Sequence, residues 1–254
     1  MSLRIRIIPI LLLKNQSLVK TVRFRKPDYI GDPVNTVRIF NELEVDELIF
    51  LDIGASVDDR SPDLEMLRDI SAECFMPLGY GGGIRSLDDA KRVFDAGFEK
   101  VSVNSCSLNN PRLIEEIARH FGSQAIMVSI DVKSNVLGKP SVRMYNGRKR
   151  LKMNPVDWAQ EAERLGAGEI LLTSIDQEGT WDGFDLKLVS EISDSLSIPV
   201  IAHGGAGCLE HIIDVVKVSQ ASAVGLGSLI VYQKKGKGVL VNFPHHLFEK
   251  PFYE

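Results

Sequence analysis

The sequence predicts an α/β protein, a single closed (β/α)₈ barrel made of two repeated half-barrels. Three observations point there. Eight short apolar or β-branched runs alternate with amphipathic stretches, the second half of the chain repeats the first at constant spacing, and glycine-rich turns follow strands at equivalent places in both halves. Strands alternating with helices read as parallel strands covered by helices.

The predicted strands are 5–13, 47–52, 76–80, 99–104, 125–132, 169–174, 199–203 and 221–226. Helical periodicity fits 33–44, 62–73, 86–97, 110–121, 154–166, 184–196 and 208–218. The 254 residues accommodate one large barrel or two small domains. The repeat bears on that choice. A displacement of 122 residues lays Pro33 on Pro155, Val34 on Val156, Glu47 on Glu169, Pro77 on Pro199 and Gly82-Gly83 on Gly204-Gly205. A three-residue adjustment lays Ile7–Lys14 on Ile126–Lys133, so that Leu12 matches Asp131. A constant offset over this span means two halves of one architecture, four βα units each. Two doubly wound domains are the alternative, but they leave sheet edges that closure into one barrel removes. The barrel is expected over 1–231, with 232–254 an irregular C-terminal tail packed on it.

Composition narrows the function classes. Hydrophobic residues at 44% and charged residues at 25% fit a soluble globular protein and exclude disordered and membrane classes. The net charge of −4 offers no global attraction to nucleic acid or anionic lipid, so an anionic ligand needs local groups. The apolar start Ile7–Leu13 is too short to span a bilayer and reads as a buried first strand. Cys74, Cys106 and Cys208 are odd in number, far apart and without metal-ligand spacing, which argues for a reducing cytoplasm. The histidines are scattered, apart from His245-His246 in a Pro-flanked tail. Neither a metal nor another cofactor is expected.

Two candidate phosphate stations emerge. One joins Gly81-Gly82-Gly83 with Asn104-Ser105; the other joins Gly204-Gly205 with Gly227-Ser228. Glycine lets backbone N–H groups approach phosphate oxygens, and a hydroxyl or amide adds a donor. Glycines after strands also simply make tight turns. Their duplication favours stations gripping opposite ends of an elongated bisphosphate.

Several stretches are specific: Gly31-Asp32-Pro33, Asp46–Ser56, Gly81–Ile84, Phe121–Ala125 and Gly166–Asp176. In them, and from Arg6 to about Val231, the chain resembles the cyclase-subunit (HisF) family of imidazole glycerol phosphate synthase. That resemblance implies ammonia made by a glutaminase (HisH-like) partner on the N-terminal barrel face. It also implies joining of that ammonia to a bisphosphorylated ribonucleotide with closure of an imidazole ring. Arg6, Glu47, Lys100 and Glu169 stand where the family has its charged gate, though a salt-bridged plug of the barrel floor accounts for them too. Asp131 matches the family's general acid/base carboxylate. Asp176 falls among the matching substrate-site residues. Lys20, a candidate catalytic residue with Asp131 and His203, falls with Arg23, Arg25 and Lys26 in the loop after the first strand, where the family has a mobile lid that closes over phosphate. A solvated charge run is the plainer reading of Arg23–Lys26.

The chain also departs from the family. Its second catalytic aspartate is here Leu12, which neither donates nor accepts a proton. A serine becomes His203, which can act as acid, base or oxyanion donor or simply fill space beside Gly204, and an aspartate becomes Glu178. The segment Lys234–Pro244, with two glycines and a β-branched run, is unsuited to a long eighth helix. With Pro9–Lys14 and Leu18–Phe24, these changes resemble a paralogous branch that accompanies N-acetyl sugar amidotransferases in surface-polysaccharide (lipopolysaccharide) biosynthesis. Three functions follow: a lyase/cyclase altered in its acid-base pair, an ammonia-delivering subunit for acetamidino sugar formation, and an isomerase of the same pathway. Leu12 counts against the isomerase, and the gate residues favour the first two.

Overall fold

Runs of period two and stretches of period 3.6 in one chain bury their apolar sides together when helices cover strands. The computed structural model, which describes residues 5–243, does this in a closed ring. The first half runs β1 (Arg6–Lys14), an antiparallel ribbon of β2 (Ser17–Val22) and β3 (Arg25–Gly31), α1 (Pro33–Glu42), β4 (Leu48–Asp52), α2 (Leu64–Ala72) and β5 (Leu78–Gly81). It ends with α3 (Leu87–Asp95), β6 (Lys100–Val103), α4 (Ser105–Asn109) and α5 (Arg112–Phe121). The second half runs β7 (Ile126–Ser134), a second ribbon of β8 (Pro140–Met144) and β9 (Lys149–Arg150), α6 (Pro155–Arg164), β10 (Glu169–Ser174) and α7 (Leu186–Ser193). β11 (Val200–His203), α8 (Leu209–Lys217), β12 (Ala223–Leu226) and α9 (Ser228–Val231) complete it.

The parallel strands β1, β4, β5, β6, β7, β10, β11 and β12 form the barrel, closed where Arg6 of β1 pairs with Ala223 of β12. No barrel edge is left to pair with another chain. The half-barrels match in detail. Both α1 and α6 start on a proline, whose missing N–H costs nothing in a first turn. Asp32 and Asn154 cap them by accepting from the N–H groups of Asn35 and Val156. In both halves the first strand continues into an antiparallel ribbon at the carboxyl end of the barrel.

These ribbons correct the sequence reading, which left 14–32 and 133–153 without strands. The hairpin β2–β3 turns on Arg23 (φ 53°) and Phe24 (φ 59°), both left-handed, where such turns ordinarily use Asn-Gly. Lys20 therefore sits inside the strand β2, only 4% exposed, rather than on a loop.

Two apolar layers form. Outside the sheet, Phe40, Phe50, Leu67, Tyr80 and Trp158 pack between strands and helices. Inside it, Ile8, Ile10, Ile49, Met127, Leu171 and Ile201 fill the barrel. Beyond the short α9, Tyr232 bridges to Val239, the N–H groups of Leu240 and Asn242 donate to the carbonyls of Val231 and Ile230, and Phe243 is buried. His245, His246 and the rest of the predicted tail lie outside the described residues. Among the described residues no helix is long and apolar enough to cross a membrane.

Candidate active site at the barrel mouth

Strand alternation sends every second residue inward, so each barrel strand reads from floor to mouth as a column of side chains. On β1 the column is Arg6, Ile8, Ile10, Leu12; on β10 it is Glu169, Leu171, Thr173. The floor is a closed ring of charge. Arg6 reaches Glu47 at 3.0 Å and Glu169 at 2.7 Å, while Lys100 reaches the same carboxylates at 2.9 and 3.1 Å. All four predicted gate residues are thus brought together. The two carboxylates hold the Arg6 guanidinium above its ordinary range against the opposing effect of burial.

The interior aliphatic layer separates this ring from the mouth. There a cavity is lined by Leu12, Ser102, Asn104, Asp131, Thr173 and His203, among others. Asp131, inward on β7, is 8% exposed and accepts a 2.8 Å hydrogen bond from Asn104 Nδ2. Burial pushes its carboxyl up to about 7; the Asn104 hydrogen bond opposes that rise and the nearby Glu178 adds to it. Near neutral pH such a group is part acid and part base, which suits it to shuttling protons.

Lys20 projects from β2 toward the second station and donates from Nζ to the Ile10 carbonyl at 2.9 Å. Burial lowers its ammonium to about 8, with Glu178 opposing. Glu178 in turn is raised by burial, an effect opposed by hydrogen bonds from the Phe24 N–H and the Thr21 hydroxyl and by Lys20. It latches the β2–β3 ribbon to the loop after β10, accepting from Thr21 Oγ1 at 2.9 Å and from the Phe24 N–H at 3.0 Å. His203, at the end of β11, shares a 3.1 Å hydrogen bond between Nδ1 and Thr173 Oγ1. Burial first, and then Lys20, lower its pKa to about 3. At neutral pH the ring is uncharged and offers hydrogen bonds rather than a proton.

At the first station Gly82 has φ 127°, and a Cβ there would lie 2.6 Å from the Asp52 carbonyl oxygen, so only glycine fits. Gly83 has φ 71°, and Ser105 Oγ accepts from the Tyr145 N–H at 2.8 Å. The Asn104 amide is turned to Asp131 rather than to the glycines, and its buried Oδ1 has no partner among the described residues. At the second station Gly204, Gly205, Gly227 and Ser228 line one recess with Lys20, Glu178 and His203. Gly227 lies directly beneath the Lys20 ammonium, where a Cβ would stand 2.6 Å from Nζ. Asp176 lines neither the mouth cavity nor the second-station recess, and its carboxylate accepts from the Ser134 N–H at 2.8 Å.

The model of the family described as "Histidine biosynthesis protein" matches residues 6–237. The chain belongs to this family. It is 48% identical over 241 residues to the Pseudomonas aeruginosa protein named "Putative imidazole glycerol phosphate synthase subunit hisF2", covering 95% of this chain and 96% of that one. It is 44% identical over 229 residues to "Imidazole glycerol phosphate synthase subunit HisF" of Hydrogenobaculum sp., covering 90% and 91%. The Streptococcus sanguinis protein of that same name is 42% identical over 230 residues, covering 91% of each chain. The molecule is thus a HisF-like barrel within the histidine biosynthesis protein family.

The sequence reading did not single out Thr173 as the partner of His203, or Glu178 as the latch. The first was within reach. Thr173 and His203 are both inward by parity, and their strands are neighbours, paired Thr173 to His203. The Glu178 latch had no signal, because it depends on a ribbon the sequence did not announce.

Proposed function

We propose that the chain is the ammonia-using barrel subunit of a glutamine amidotransferase, on the cyclase plan of imidazole glycerol phosphate synthase. A glutaminase would dock on the charged floor, ammonia would pass through the barrel, and a bisphosphorylated ribonucleotide would span the two glycine stations. One observation carries this reading: the charged ring, the aliphatic interior and the poised Asp131 lie in line along one barrel axis. The relatives' names supply the reaction class.

In this scheme Asp131 takes a proton from nitrogen as ammonia adds to a substrate carbonyl and gives one to the departing oxygen. Lys20 balances phosphate charge at the second station, and neutral His203 orients the substrate by hydrogen bonds. The carboxylate that would mirror Asp131 on β1 and divide this work with it is replaced by Leu12, which is itself buried.

Leu12 favours a second reading, an ammonia-delivering subunit with little cyclisation of its own, as in acetamidino sugar formation for surface polysaccharide. Three measurements test the pair. Calorimetry with the bisphosphate is expected to show binding, while turnover with ammonium is expected to be slow or nil. Glutamine hydrolysis by a co-purifying glutaminase is expected to rise when this barrel is added. Absence of both binding and stimulation overturns both readings, and vigorous cyclisation overturns the claim that Leu12 disables.

A further inference from the structure

Outside both glycine stations, the two ribbons enclose a cleft of about 440 Å³ in front of the mouth cavity. Six cations line it: Lys14, Arg23, Arg25, Lys26, Lys133 and Arg148. No carboxylate forms a salt bridge with any of them among the described residues, and Arg23 Nε donates only to the Asp176 backbone carbonyl, at 3.0 Å. Among the described residues the one carboxylate lining the cleft, Asp58, is already engaged by Arg60 at 3.7 Å. This concentration of positive charge stands on a chain whose net charge is −4. Unpaired like charges repel one another, so the arrangement is unfavourable until an anion enters.

The cleft is built rather than incidental. Arg23, Phe24 and Lys26 hold left-handed backbone on one hairpin, and Tyr145 and Asn146 do so on the other. Asn146-Gly147 is an ordinary hairpin pair, but Arg23, Phe24, Lys26 and Tyr145 are strained in left-handed backbone, and such strain gathers at functional sites. A Cβ on Gly147 would lie 3.2 Å from Phe24, so the two hairpin tips lie side by side. Phe24, Ile53, Val57 and Ile175 give the cleft an apolar base beneath the cations.

We propose that this cleft is a third anion site, taking two phosphates in tandem, either as free diphosphate or as the diphosphate of a nucleotide. A single phosphate carries too little charge to answer six cations. The cleft's size suits a small molecule rather than a protein surface, and its apolar base can receive a ring joined to the diphosphate. The cleft opens onto the mouth cavity, with which it shares Thr21, Phe24, Ile53 and Asn146, but its six cations lie outside the two glycine stations that the cyclase reading assigns to separated phosphates.

The test is calorimetry on the full chain, free of divalent cations and at low salt, with inorganic phosphate, inorganic pyrophosphate and ADP. Pyrophosphate and ADP are expected to bind at least tenfold more tightly than phosphate. Tighter binding of ADP assigns the site to a nucleotide, and equal binding assigns it to free diphosphate. The exposed-residue variant Arg25→Ser/Lys26→Ser/Arg148→Ser is expected to lose at least tenfold in diphosphate affinity while keeping its circular dichroism spectrum and melting temperature. Ser228→Asp, which places a negative charge in the second station, is expected to leave pyrophosphate affinity unchanged. The proposal is overturned if wild type fails to prefer diphosphate, if the triple variant binds it as tightly, or if Ser228→Asp abolishes binding.

Discussion

The two half-barrels share a scaffold and divide the chemistry. The first half furnishes both cations and one carboxylate of the floor ring, and the second contributes only Glu169. At the mouth the weights reverse. The second half brings Asp131, Thr173, Glu178 and His203, whereas the first brings Lys20 and Asn104 but has Leu12 where symmetry calls for a carboxylate. Repetition of a backbone therefore does not compel repetition of its ionisable groups. Paired charges close one end, and unpaired buried groups with shifted protonation stand at the other.

Restoring the symmetry has the largest expected effect. Leu12→Asp should raise cyclisation of a bisphosphate with ammonium by about 10²-fold or more, the usual worth of a positioned acid or base. Formation of the imidazole product, followed by absorbance, checks this, and an unchanged rate breaks the claim that the halves differ in catalytic competence. Next comes the floor. Lys100→Met leaves Glu47 and Glu169 sharing Arg6 alone, at an expected cost of about 2–3 kcal/mol, below the full buried-pair figure because Lys100 is 20% exposed. Urea unfolding measures it.

Asp131→Asn should stabilise the fold while abolishing any turnover. The native carboxyl titrates near 7 and the unfolded one near 3.8, so between these values the native state holds more protons and stability falls as pH rises. The variant escapes that loss. Its gain should be about 4 kcal/mol at pH 8 and near zero at pH 4, seen in melting temperatures across that range. The smallest effect is expected from Asn104→Ala. It removes the hydrogen bond that holds the Asp131 carboxyl down, so that carboxyl should titrate above 7. A carbon-detected NMR titration reads this directly, and a downward move would contradict the assigned cause.

The barrel and its repeat were legible because they are written in periodicity and spacing. Glu47 and Glu169 sit 122 residues apart, and both face Arg6 and Lys100. Leu12 against Asp131 was equally legible, since parity and repeat both place them inward at the mouth. The ribbons were not. β8 and β9 flank Asn146-Gly147, a hairpin signal that a closer reading could have used, but Arg23-Phe24 is an unusual pair for its turn. Without the β2–β3 ribbon, Lys20 stood only on a loop after the first strand, and neither its burial nor the Glu178 latch could be anticipated. The fall of His203 to about 3 likewise depends on desolvation within three dimensions.

The floor ring has a consequence for synthesis. As the chain emerges, Arg6, Glu47 and Lys100 are available before Glu169, so a nascent first half holds two cations against one carboxylate. An unmatched buried charge is costly, and domains of this size fold with intermediates as the chain lengthens. The last ion-pair partner arrives only with β10, so the ring makes electrical neutrality at one pole conditional on the arrival of the second half.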